Sequence, residues 1–214
     1  MPSRGRLLQH LPLALSLTFM ALMVPVRTRS FLLPYLRENG PVELLTFGLA
    51  LLAGLLASVL ATRGSRPTSH RLFLALFGLG MLFVAMEEIA WGQTWVDYAT
   101  PEYFLENNVQ EEITIHNLEM FHGGSDYLYT VFGLGGLIGI YAAGILGLGA
   151  LSVPRGMASL FWTITLLSLL SIAQGKWGFG LLEMGVGRKL AEVLEMWVSV
   201  AGFLYVLALC RRSA

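Results

Sequence analysis

The feature that most limits how this chain can fold is a series of apolar runs about 20 residues long, the length a helix needs to cross a bilayer. Six segments qualify, at roughly 7–26, 42–61, 72–91, 127–151, 157–175 and 190–210. Composition agrees with them. Only 13% of the 214 residues are charged, against about 25% in an average soluble domain, and the mean hydropathy is +0.65. The expected fold class is therefore an all-α integral membrane protein. It would be a bundle of about six transmembrane helices forming a single transmembrane domain over residues 1–214.

The first run follows a charged start, as a signal peptide would, but Met, Val and Pro fill the region before Arg27 where small cleavage-site residues belong. It reads as a retained anchor. The formal net charge is zero and no basic patch is interleaved with aromatics, so nucleic acid is excluded as a partner. The single cysteine, Cys210, rules out an intramolecular disulfide and packs as a small apolar residue.

Most connections between the runs are short. Residues 27–41 are polar and bounded by proline, 62–71 are basic, 152–156 form a tight turn, and 175–189 are rich in glycine. Only the polar segment 92–126 is long enough to build something of its own. No internal repeat is visible, so nothing supports an inverted-repeat transporter. The same segment holds no Lys or Arg, which suits translocation and places it on the external face, with both termini cytoplasmic. The acidic residues then fall at or near external helix ends.

Glu87 and Glu88 stand about one turn inside the third apolar run, where an ionisable group costs at least about 2.5–3.5 kcal/mol. They point about 100° apart on a helix. The plain alternative is that both snorkel to the interface beside Trp91. Thr100-Pro101-Glu102 signals a short helix near 101–106, with Thr as the cap and Pro at the first position.

If 112–126 is helical, Glu112, His116, Glu119, His122 and Asp126 share an arc of about 120°. His116-x-x-Glu119-x-x-His122 then sets three potential metal ligands on successive turns, and Glu-x-x-His is the ligand spacing of carboxylate-bridged dimetal bundles. The plain alternative is an amphipathic interfacial helix with its polar face in water. His10 and His70 lie toward the cytoplasmic side, so carboxylates must complete any metal shell. At the start of the last run, Glu192, Glu195 and Ser199 share a face, with Glu195 the deeper carboxylate. Ser125 has no recognisable base, no Walker loop is present, and the glycines of 132–150 are spaced for close helix packing.

Glu87-Glu88-x-x-Trp91-Gly92-Gln93, then Asn108-x-Gln110-x-Glu112, then His116-Asn117-Leu118 resembles a pattern found in a set of uncharacterised polytopic bacterial membrane proteins. The resemblance covers about 35 residues and implies a bacterial cytoplasmic (inner) membrane, but no activity. That pattern has a glycine before its second glutamate, where this chain has Glu111. A looser, class-level analogy is to the seven-helix, zinc-dependent ceramidase-like membrane hydrolases, whose third histidine this chain lacks.

Three functions follow as expectations. In the first, the protein is a membrane-embedded metal-dependent enzyme, hydrolase-like, acting at the external face on a lipid or lipid-linked substrate. A divalent metal, zinc or iron, would be held by His116, Glu119 and His122 with Glu88 or Glu195. Glu87 or Glu112 would be the general base on a metal-bound water. Trp91, Gln93, Gln110, Asn117 and Glu192 would support the site. In the second, the protein is a non-catalytic scaffold whose polar face binds a partner membrane protein. In the third, the carboxylates form a proton or cation path.

Overall fold

The computed structural model describes residues 11–37, 39–63, 66–96, 98–121, 124–178 and 186–213. Among them the chain is all-helical, and four helices are long and apolar enough to cross a membrane: Pro41–Thr62, Thr68–Glu88, Arg155–Trp177 and Lys189–Arg212. A fifth candidate is bent. Helix α1 (Leu11–Met23) meets α2 (Val26–Leu32) and the 3₁₀ turn Leu33–Tyr35 at 119°. The sequence had suggested one straight run over 7–26, but Pro25 lacks the N–H that would continue the α1 ladder and instead stands as the N-cap of α2.

Helix α3 (Pro41–Thr62) starts with proline at its first turn and pairs with α4 (Thr68–Glu88). The two approach closely because of their small residues. A Cβ on Gly54 would stand 2.6 Å from the Leu82 side chain, and one on Gly78 would stand 2.8 Å from Ser58 Oγ. Short helices α5 (Gln93–Val96) and α6 (Glu102–Asn107) follow. Pro101, rather than Thr100, occupies the N-cap of α6, because the Thr100 hydroxyl is used elsewhere.

The region expected to be helical over 112–126 is mostly loop. Among the described residues, an isolated antiparallel bridge joins Asn108 to Leu118, Glu119–Phe121 forms a 3₁₀ turn, and α-helix resumes at Ser125. Helix α7 (Ser125–Tyr141) is shorter than the expected 127–151. The chain leaves it at Ala142, passes Gly147 in the left-handed region at φ 70°, and folds back so that Val153 N–H donates to Gly139 O at 3.0 Å. Helix α8 (Ala158–Trp177) lies against α7 with little room: a Cβ on Gly136 would fall 2.0 Å from the Phe161 ring.

Helix α9 (Val186–Ser213) is the centre of the bundle and packs on α3, α7, α8 and α1. Leu190, Leu194, Ala201 and Val206 are fully buried. Trp197 Nε1 donates to Ser16 Oγ at 2.9 Å, tying α1 to α9, and the Tyr205 hydroxyl donates to Leu151 O at 2.8 Å. Large apolar side chains such as Leu72, Leu76, Leu79, Leu128 and Val131 point outward. That pattern fits a bilayer and would be costly in water.

Candidate functional site

The site starts where α4 stops. After Glu88 the chain turns through Ala90, Trp91 and Gly92, all three in the left-handed region at φ 44°, 55° and 90°. This reversal ends the helix and swings the Trp91 indole back, so that its Nε1–H donates to Glu87 Oε1 at 2.6 Å. The other Glu87 oxygen, Oε2, accepts the backbone N–H groups of Ile115 and His116 at 2.7 and 2.9 Å. It also meets His116 Nδ1 at 3.0 Å. With the indole and two amides already donating to it, this buried carboxylate acts as an acceptor toward the ring as well. Nδ1 is therefore the protonated ring nitrogen, and in the neutral imidazole Nε2 carries the free lone pair.

The residues between 92 and 118 build the loop that presents His116. Gln93 Oε1 accepts the Ile113 N–H at 3.0 Å, while its amide donates to Thr100 Oγ1 at 2.5 Å. Thr100 in turn donates to Glu111 O at 2.8 Å. The buried Asn108 amide donates to Thr114 O and Oγ1 at 2.7 and 3.0 Å, and its Oδ1 accepts the Gln110 N–H at 2.8 Å. Asn117 donates to Gln110 Oε1. Most of the polar residues in the resembling pattern thus close the loop on itself or on the end of α4. Glu111 has φ 57°, so the tight turn is present here although this position is not glycine.

Glu87, Glu88, His116 and Glu195 line one cavity of about 280 Å³, together with Phe83, Ser125, Tyr129 and apolar side chains of α4, α7 and α9. The Tyr129 hydroxyl donates to Glu195 Oε1. Glu88 is only 9% exposed and has no hydrogen-bond partner among the described residues. Burial works against the charge on His116, but the Glu87 hydrogen bond and the nearby Glu195, Glu87 and Glu192 charges outweigh it, so His116 titrates above the ordinary histidine value.

The other expected residues lie elsewhere. Glu119 is exposed and borders a separate surface pocket with Tyr103, Asn107 and Met120. Without the helix, it and His116 share no face. His122 lies outside the described residues. Glu112 is half-buried near Glu43 and is not among the residues lining the cavity. Glu192 pairs with Lys189 at 3.1 Å, and Lys189 also donates to Leu36 O, which pins the α2 end to α9. Among the described residues, no three His, Cys, Asp or Glu side chains come close enough to hold a metal ion. Of the donors expected from the sequence, Glu88, His116 and Glu195 line the cavity, Glu119 lies apart from it, and His122 is outside the described residues.

Sequence reasoning missed Tyr129 and the cavity's continuation. A second cavity of about 370 Å³ lies further along α4 and α7, and Phe77 and Phe132 line both. Their stacked rings, 6.5 Å apart, bridge two helices that otherwise scarcely touch. The exposed rim residues Gly80, Leu128, Gly135 and Ile138 show that this cleft opens sideways between α4 and α7. A tyrosine hydroxyl inside an apolar run was the one signal available for Tyr129.

No family model, curated protein or solved structure matches this chain.

Proposed function

We propose that the protein is a membrane-embedded, hydrolase-like enzyme acting at the external membrane face on a lipid or lipid-linked substrate. The observation that carries this reading is a Glu87–His116 pair at the polar end of a cleft that opens toward lipid. In this reading Glu87 holds the Nδ1 proton, and Nε2 takes a proton from water as the water oxygen bonds to the substrate's electrophilic centre. The bond to the leaving group then breaks, and the imidazolium returns a proton to it.

The same proposal has the chain cross the membrane six times, with α1–α2 and α7 joining the four long helices. Both termini are cytoplasmic, in a bacterial cytoplasmic membrane. The charge distribution supports this orientation. Arg66 and Arg71 bond carbonyls at the end of α3, and Arg212 bonds Ser152 O, all at the end of the bundle opposite Glu87 and Glu195.

Purified protein in lipid nanodiscs, incubated with a total bacterial lipid extract and followed by mass spectrometry, tests the activity. Wild type is expected to deplete one lipid class, and His116→Ala to slow that conversion by about 10²–10⁴-fold. Identical lipid profiles for wild type, His116→Ala and Glu87→Gln would sink the proposal.

A further inference from the structure

Resting on that reading, we infer that the substrate's head group carries a protonated amine seated between Glu88 and Glu195, with its alkyl chain along the α4–α7 cleft. Among the described residues, three carboxylates, Glu87, Glu88 and Glu195, line the cavity against one imidazole, and no Lys or Arg lines it. The imidazole is already engaged by Glu87. Glu195 receives the Tyr129 hydroxyl, and Glu88, though buried, has no hydrogen-bond partner among the described residues. Buried carboxylates either acquire a cationic partner or give up their charge. An ammonium head supplies that partner, and its three N–H donors suffice for Glu88 and for the second oxygen of Glu195. A carboxylate or phosphate head would meet like charge at the same point.

The apolar wall decides between an amine on a chain and a bare cation. Beyond the carboxylates the cavity is lined by Phe77, Val84, Leu128 and Phe132 and continues into the second cavity, surface that a hydrated ion would leave unused. From Ser69 to Glu87 the cleft follows α4 for roughly 27 Å, close to the ~30 Å hydrocarbon thickness. A single lipid chain, which spans about half that thickness, therefore fits along it with room to spare, and the sideways opening lets that chain enter from the bilayer.

Spin-labelled C18 amphiphiles bearing a primary amine, an alcohol or a carboxylate, each dilute in phosphatidylcholine nanodiscs with the full chain, test the assignment by the immobilised fraction in electron paramagnetic resonance. The amine is expected to associate about tenfold or more over the alcohol and the acid, the scale of one desolvated charge pair. Glu88→Gln and Glu195→Gln should each reduce that preference severalfold, with circular dichroism confirming the fold. Equal association of the three labels, or a preference unchanged in both variants, overturns the inference. Selective amine binding without His116-dependent turnover keeps the head-group assignment and overturns the hydrolytic reading. His116-dependent turnover without amine selectivity does the reverse.

Discussion

Glu87 accepts hydrogen bonds from Trp91, Ile115 and His116 at once, so one carboxylate fixes both the end of α4 and the loop facing it. Its hold on His116 has a pH consequence. The folded-state pKa of His116 is raised above its unfolded value. The stability the pair contributes is therefore fully present below about pH 6.5 and is lost as pH rises through the higher folded-state value. The melting-temperature gap between wild type and His116→Ala should accordingly shrink between about pH 5.5 and about pH 9; a gap that widens over that range would contradict it. Glu87, Glu88 and Glu195 were legible in the sequence because a carboxylate inside an apolar run is costly and therefore conspicuous. The grouping of His116 with Glu119 assumed a helical spacing that residues 112–118 do not have, while His122 lies outside the described residues. The contacts that settle that loop, Gln93 to Ile113 and Glu87 to Ile115, join residues 20 and 28 apart in sequence and leave no periodic trace.

At the scale of elements, helix ends were the least readable part. Pro25 bends the first run, three consecutive left-handed residues stop α4, and the glycines after Tyr141 let the chain fold back early. Each feature is local, yet apolar character continues across all three, so a hydropathy window passes over them. The glycines of α7 divide by face in a way that can be tested. Gly136→Ala drives a Cβ into the Phe161 ring and is expected to cost about 1–3 kcal/mol. A Cβ on Gly135 meets nothing within 4 Å, and Gly135→Ala should be neutral or stabilising by up to about 1 kcal/mol through helix propensity. Thermal melts of the two variants in one detergent decide it, and equal loss in both would refute the close α7–α8 approach.

At the scale of the whole molecule, the all-helical, apolar character was legible from the sequence, but six runs were read where four helices among the described residues are long and apolar enough to cross a membrane. Their arrangement around α9 was not legible, since every helix is apolar on most faces. Orientation can be checked directly. In intact cells, a cysteine at Glu106 in a Cys210→Ala background is expected to react with a membrane-impermeant maleimide, and one at Arg155 only after permeabilisation; the reverse pattern would invert the proposed topology. The α4–α7 cleft is open on one side. In the proposed membrane setting, one wall of the cavity is not encoded in the chain at all but would be supplied by neighbouring lipid molecules. The host bilayer is then a structural subunit of the site. Changing its acyl-chain length or order amounts to mutating that wall, without altering a codon.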